Sequence, residues 1–164
     1  MTNYGYETMH VYKSHPIFPS ASMPPKSDFN PSPNRICIIG EDDPFIARLL
    51  QRFAEKSGLQ IKRAQTGEEL LALAHEDRPA LIILEPELPG KLRGWEAAHT
   101  LRTQAETRYI PVILCAWLKE ADAQALAGQG SPHLQKPDLH YDDFAAALEM
   151  AGINLAPGKS EEAS

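Results

Sequence analysis

Two acidic clusters stand at the ends of apolar runs, each with a proline close behind. Leu81-Ile82-Ile83-Leu84 leads into Glu85-Pro86-Glu87, and Ile36-Cys37-Ile38-Ile39-Gly40 leads into Glu41-Asp42-Asp43-Pro44. Carboxylates brought to one point can hold a divalent cation through oxygen ligands, which makes Glu41, Asp42 and Glu87, beside Glu85, a candidate set. They can equally take an ammonium as counter-ion, and Lys136, directly before Pro137, reads as that partner for Glu85 or Asp42. Glu41 and Asp42 also suit the N-terminus of the helix that starts behind them, through its dipole. No nucleophile–base pair accompanies these tips and no glycine-rich phosphate loop occurs, which argues against an enzyme.

For these groups to meet, their strands must be neighbours. An apolar run from Ala80 that ends in a carboxylate and then a proline describes a strand buried on both faces, as in a parallel sheet. The carboxyl ends of such strands face the crevice where ligands bind, so the strand itself places Glu85 there. From Arg35 the chain alternates short apolar runs with amphipathic stretches five times. Strands are expected at Arg35 to Gly40, Leu59 to Ala64, Ala80 to Glu85, Ile110 to Ala116 and Pro132 to Gln135.

The helices follow from caps and spacing. Asp43 caps the first, with Pro44 in its first turn and Phe45, Ile46, Leu49, Leu50 and Phe53 on one face until Gly58. Thr66-Gly67-Glu68-Glu69 is a capping box that opens the second, which Arg78-Pro79 ends. The third carries Trp95, Ala98 and Leu101 on one side. Lys119 to Ala127 is helical by its alanines but poor in apolar surface, and should be the most loosely held. The last begins near Asp138, sets Tyr141, Phe144, Ala145 and Leu148 inward, and stops at Gly152. Trp95 and Trp117 read as packing residues. Right-handed crossovers then give an α/β, doubly wound, five-stranded parallel sheet covered on both faces.

Residues 1–34 hold six prolines without either periodicity and read as a disordered tail, with His10 and His15 simply solvated. Residues 35–153 form the single domain, and residues 154–164 a second disordered tail. The 16 Lys and Arg against 22 Asp and Glu give a net charge of −6 without a basic cluster, so a protein partner is expected, not a nucleic acid. Cys37 and Cys115 lie in apolar runs and read as buried thiols of a reducing cytoplasm. No membrane span or signal peptide is evident, and both a monomer and a homodimer remain open.

The acidic tips, the order of elements and the Lys136-Pro137 step together resemble the receiver domain of two-component response regulators, over roughly residues 35–152. The resemblance implies a flavodoxin-like fold with strand order 2-1-3-4-5. It makes Glu41 and Asp42 the magnesium carboxylates, Lys136 the family's lysine, and Pro89, four residues beyond Glu85, the proline of the loop after the third strand. Three positions depart from the pattern. Glu85 stands where the family's aspartate accepts a phosphoryl group; its extra methylene moves the carboxylate by about a bond length, and in-line transfer is sensitive to misplacements of about an ångström. Ala116 stands where a Thr or Ser hydroxyl bonds the phosphoryl oxygen, and His133 where an aromatic switch residue precedes the lysine by three positions. The loop after the third strand is one residue longer, with Gly94 nine positions beyond Glu85.

These departures imply a stand-alone pseudo-receiver in phosphorelay signalling: a cytoplasmic module without an output domain that needs no cofactor beyond a weak Mg2+ site. It would bind a histidine kinase or a downstream signalling protein through a face including Lys119, Ala127, His133, His140 and Asp143. Two alternatives are weak phosphorylation on Glu85 and a small flavodoxin-like ligand binder.

Overall fold

A computed structural model of the chain describes residues 34–119, 121, 122, 125 and 132–153. The strands are β1 (Ile36–Gly40), β2 (Gln60–Ala64), β3 (Leu81–Leu84), β4 (Val112–Ala116) and β5 (His133–Gln135). The helices between and after them are α1 (Pro44–Lys56), α2 (Gly67–Asp77), α3 (Gly94–Thr103) and α4 (Tyr141–Met150). All strand pairs are parallel, in the order β2-β1-β3-β4-β5. This is the doubly wound arrangement expected from the alternation of apolar runs and amphipathic stretches. The expected tails, and most of the helix from Lys119 to Ala127, fall outside the described residues.

The alternation of side chains along the central strands fills two separate cores. On one face Ile38, Ile82, Leu84 and Leu114 pack under Leu70 and Ala74 of α2 and Ala97, Ala98 and Leu101 of α3. On the other Cys37, Ile39, Leu81, Ile83, Ile113 and Cys115 pack under Ile46, Leu50 and Ala54 of α1 and Phe144, Ala147 and Leu148 of α4. The middle strands β3 and β4 are buried throughout, which is why they read as unbroken apolar runs, whereas the edge strand β2 is mostly exposed.

The caps explain the boundaries. The Asp43 carboxylate accepts from the N–H groups of Phe45 at 2.9 Å and Ile46 at 3.3 Å, while Pro44 occupies the first helical position, where no N–H is needed. In α2 the Thr66 hydroxyl accepts from Glu69 N–H at 3.2 Å, but the Glu69 carboxylate reaches back to Gln65 N–H, one residue earlier than a standard capping box. Arg78, in the left-handed region at φ 47°, turns the chain out of α2.

Several expectations need correction. Phe45 does not face the core: it is 74% exposed, because it shares the outward side of α1 with Arg48 and Arg52, three and seven residues on. Trp117 is likewise no packing residue, standing 64% exposed just beyond β4. The last helix begins at Tyr141, since Leu139 N–H donates to the Pro137 carbonyl at 2.9 Å and commits those residues to a turn. The Lys136-Pro137 peptide bond is cis.

Candidate functional site

The site is built from the carboxyl ends of three strands. Glu85 N–H donates to the Gly40 carbonyl at 2.9 Å, extending the β1–β3 pairing by one step and drawing the two acidic tips together. From the other side of the sheet Lys136 N–H donates to the Ala116 carbonyl at 2.8 Å, which carries β5 past the tip of β4.

Both buried carboxylates are used in the same way. Glu41 Oε1 accepts from Asp43 N–H at 2.9 Å and Glu85 Oε1 accepts from Glu87 N–H at 2.8 Å, so each stiffens the loop that follows its own strand. The two Oε2 atoms face the Lys136 ammonium: Nζ is 2.5 Å from Glu41 Oε2 and hydrogen-bonds Glu85 Oε2 as well. All three side chains are nearly sealed from water, at 2%, 1% and 6% exposure for Lys136, Glu41 and Glu85.

Burial pushes the Glu41 and Glu85 carboxyls above the usual range, against the opposing pull of Lys136. Burial alone would lower the lysine, yet the two carboxylates outweigh it and its pKa is raised. One ammonium between two carboxylates leaves an excess negative charge in a dry place, and that excess favours retention of a proton on the carboxylate pair.

The structure thus joins Glu85 and Lys136 as one of the two expected pairings, with Glu41 in place of Asp42 as the lysine's second partner. Asp42 is exposed, and so is Glu87, whose Oε2 lies 3.4 Å from Arg93 Nη1. Among the described residues no group of three His, Cys, Asp or Glu side chains is arranged to hold a metal ion. Divalent magnesium needs several open oxygen ligands in octahedral geometry, and here the buried oxygens already serve a lysine and two backbone N–H groups. A magnesium ion at this point would compete with Lys136 for the same oxygens.

Ala116 is buried beside the tip, and its methyl offers no donor. His133 is half-buried and lies opposite Leu114 in the β4–β5 register. His133, Lys136, Asp138 and Asp143 line a groove of about 340 Å³ between β5 and α4. His140 and Asp143 form an exposed pair at 3.5 Å, Lys119 is exposed, and Ala127 is outside the described residues.

The loop after β3 holds a contact that sequence reasoning missed. The Glu68 carboxylate on α2 accepts from the N–H groups of Lys91 at 3.3 Å and Leu92 at 3.2 Å, and a bond from its own backbone N–H, together with these two, lowers its pKa. Gly90, at φ 128°, brings the loop against it. Gly94 is required for a second reason: the Glu85 carbonyl oxygen lies 2.1 Å from where its Cβ would stand.

Comparison with known proteins agrees with this fold. The chain is 36% identical over 80 residues to Protein PilH of Pseudomonas aeruginosa, a match covering 49% of this chain and 64% of PilH, somewhat under two thirds of that protein. It is 33% identical over 107 residues to the polar-differentiation response regulator DivK of Brucella anthropi, covering 64% of this chain and 85% of DivK. Among solved structures, the receiver domain of a Pseudomonas aeruginosa sensor histidine kinase, with magnesium coordinated in its active-site cleft, superposes with a TM-score of 0.60 at 20% identity. That match covers 73% of this chain and 98% of the other, and it concerns the fold alone. The response regulator receiver domain family matches residues 36–147, from the first residue of β1 into α4 and over more than half of the sequence, and to that family this chain belongs.

Proposed function

We propose that this receiver domain is a protein-docking module of two-component signalling that is not switched by phosphoryl transfer. The observation that carries the reading is the closed triad Glu41–Lys136–Glu85. Transfer to a carboxylate needs that oxygen free and in line with the donor, with a cation beside it to take up developing charge. Here the Glu85 oxygens are spent on Lys136 and Glu87 N–H, a magnesium ion would have to displace that lysine, and Ala116 offers no hydroxyl to a phosphoryl oxygen. The surface around the β5–α4 groove is then set by sequence and by partner binding. Its occupant is a histidine kinase or a downstream signalling protein, contacting Lys119, His133, His140 and Asp143 together with the segment that ends at Ala127. Incubation with acetyl phosphate and magnesium, followed by intact mass measurement, tests the reading. No added phosphoryl group is expected, and a gain of one that disappears in Glu85→Gln overturns it.

A further inference from the structure

The two edges of the sheet are built differently. At one edge β2 exposes Lys62 and Arg63, charged side chains of the kind that keep an open strand from pairing with another chain. At the other edge β5 is His133-Leu134-Gln135, with neither a carboxylate, a lysine or arginine, nor a proline in the strand. Its pairing to β4 fixes which backbone groups are left over. Lys136 N–H donates to the Ala116 carbonyl, and successive residues of a strand turn their N–H and C=O groups to opposite sides, so Leu134 also faces β4. His133 and Gln135 therefore point their N–H and C=O groups away from the sheet. Among the described residues no hydrogen bond reaches these two donors and two acceptors.

The open edge borders the groove between β5 and α4, which His133, Gln135, Asp138 and Asp143 help to line. The groove is anionic. Asp138 and Asp143 are both exposed; Asp143 meets only the exposed His140, and among the described residues Asp138 is in no ion pair. Lys136 lines the groove too, but its ammonium is committed to Glu41 and Glu85. An extended segment laid along β5 supplies backbone donors and acceptors in alternation, and a Lys or Arg on it meets the two carboxylates. A helix has closed its own backbone bonds and would leave the edge groups unpaired. We infer that this edge takes an extended, cation-bearing segment of a protein partner as a sixth strand of the sheet. The inference rests on the docking reading above and names how the partner is held: main-chain bonds at His133 and Gln135, with Asp138 and Asp143 selecting a lysine or arginine.

The strand is short, and that sets the expected strength. Its 3 residues span about 10 Å, and Pro137 has no N–H with which to prolong the pairing. A few main-chain bonds with screened ion pairs give an isolated segment a dissociation constant on the order of 100 µM, weaker at high salt.

Titration of the isotope-labelled full chain with the synthetic peptide Thr-Val-Lys-Val-Lys-Val-Thr, followed by amide NMR, tests the inference. The amides of His133 and Gln135 should shift and become protected from exchange, while those of Leu134 and Lys136, already turned to β4, keep the protection they have. Two copies of the peptide, methylated on alternate sets of backbone nitrogens, should behave oppositely: only one edge of the peptide faces β5, so one copy binds and the other loses about tenfold or more in affinity. Glutamate in place of both lysines should weaken binding by a similar factor, and Asp138→Lys/Asp143→Lys should reverse that preference. Gln135→Pro removes an outward N–H and no bond to β4, and should weaken binding as well; should it unfold, the methylated pair makes the same comparison on the parent. Absence of shifts at His133 and Gln135 up to about 1 mM peptide overturns the inference. So do shifts confined to α4, methylated peptides that bind alike, and lysine and glutamate peptides that bind alike. The acetyl phosphate assay keeps the two readings apart. A parent that gains a phosphoryl group yet binds the peptide in this way overturns only the phosphorylation-independent reading, and one that gains none and fails to bind overturns only strand addition.

Discussion

Replacing Lys136 by methionine leaves two buried carboxylates facing one another across the space the ammonium filled. Removing one partner of a buried ion pair costs about 3–5 kcal/mol, because the remaining charge has neither water nor counter-ion. The structure puts this site toward that range, since all three side chains are sealed from solvent. Proton uptake by one carboxylate offsets part of the loss, so about 3 kcal/mol is expected at pH 7. In a domain of this size that lowers the melting temperature by roughly 10–15 °C. The pH dependence separates this cause from a packing defect. A carboxyl whose folded pKa lies above its unfolded value gains stability as pH falls through the folded value, because the native state then binds the proton more tightly. Burial already raises Glu41 and Glu85, and loss of the ammonium removes the influence that holds them down. The deficit of Lys136→Met should therefore shrink markedly between pH 7 and pH 5 in thermal melts followed by circular dichroism. Equal melting temperatures for parent and variant at pH 7, or a deficit unchanged at pH 5, would refute the reasoning.

The parent should lose stability on the alkaline side as well: Lys136 is raised above its ordinary 10.5, so its contribution is complete below that value and is lost as pH rises through the folded one, readable in melts up to pH 11. Gly94→Ala should unfold the loop or the whole domain, since the new methyl would meet the Glu85 carbonyl oxygen, a backbone atom with little room to give; proteolysis within residues 86–94 would report the local case. Restoring the family's chemistry takes two changes: Glu85→Asp with Ala116→Thr should gain a phosphoryl group from acetyl phosphate and magnesium where neither the parent nor Ala116→Thr does, and intact mass decides it.

Much of this was legible because strand tips are simple to read. An apolar run that stops at a carboxylate and a proline leaves few alternatives to a buried parallel strand, and Glu85 falls at the crevice edge for that reason. That Glu41 would meet Lys136, and Asp42 would not, depends on register: Gly40 lies opposite Leu84, so the next residue on each strand brings Glu41 to Glu85 and leaves Asp42 one step beyond, in the loop. Phe45 misled for a different reason. Phe45 continues the row of Leu49 and Phe53 at steps of four residues, and that row is only partly buried, whereas the inward row is Ile46, Leu50 and Ala54. The Glu68 anchor was out of reach, because it joins α2 to a loop more than twenty residues away through backbone N–H groups that carry no residue signature.

Lys136 also has a mechanical consequence. Its side chain ties the loops that follow β1 and β3, and its own N–H ties β5 to β4, so a single residue links the tips of four of the five strands. Glu41 and Glu85 each carry that link deeper into their own loops, to Asp43 and Glu87. An edge fastened this way presents its loops already in place, and a partner that settles on it loses little affinity to the entropy of ordering them. Affinity at this rim should therefore change chiefly through dissociation rates, because the shape a partner meets is the shape it keeps.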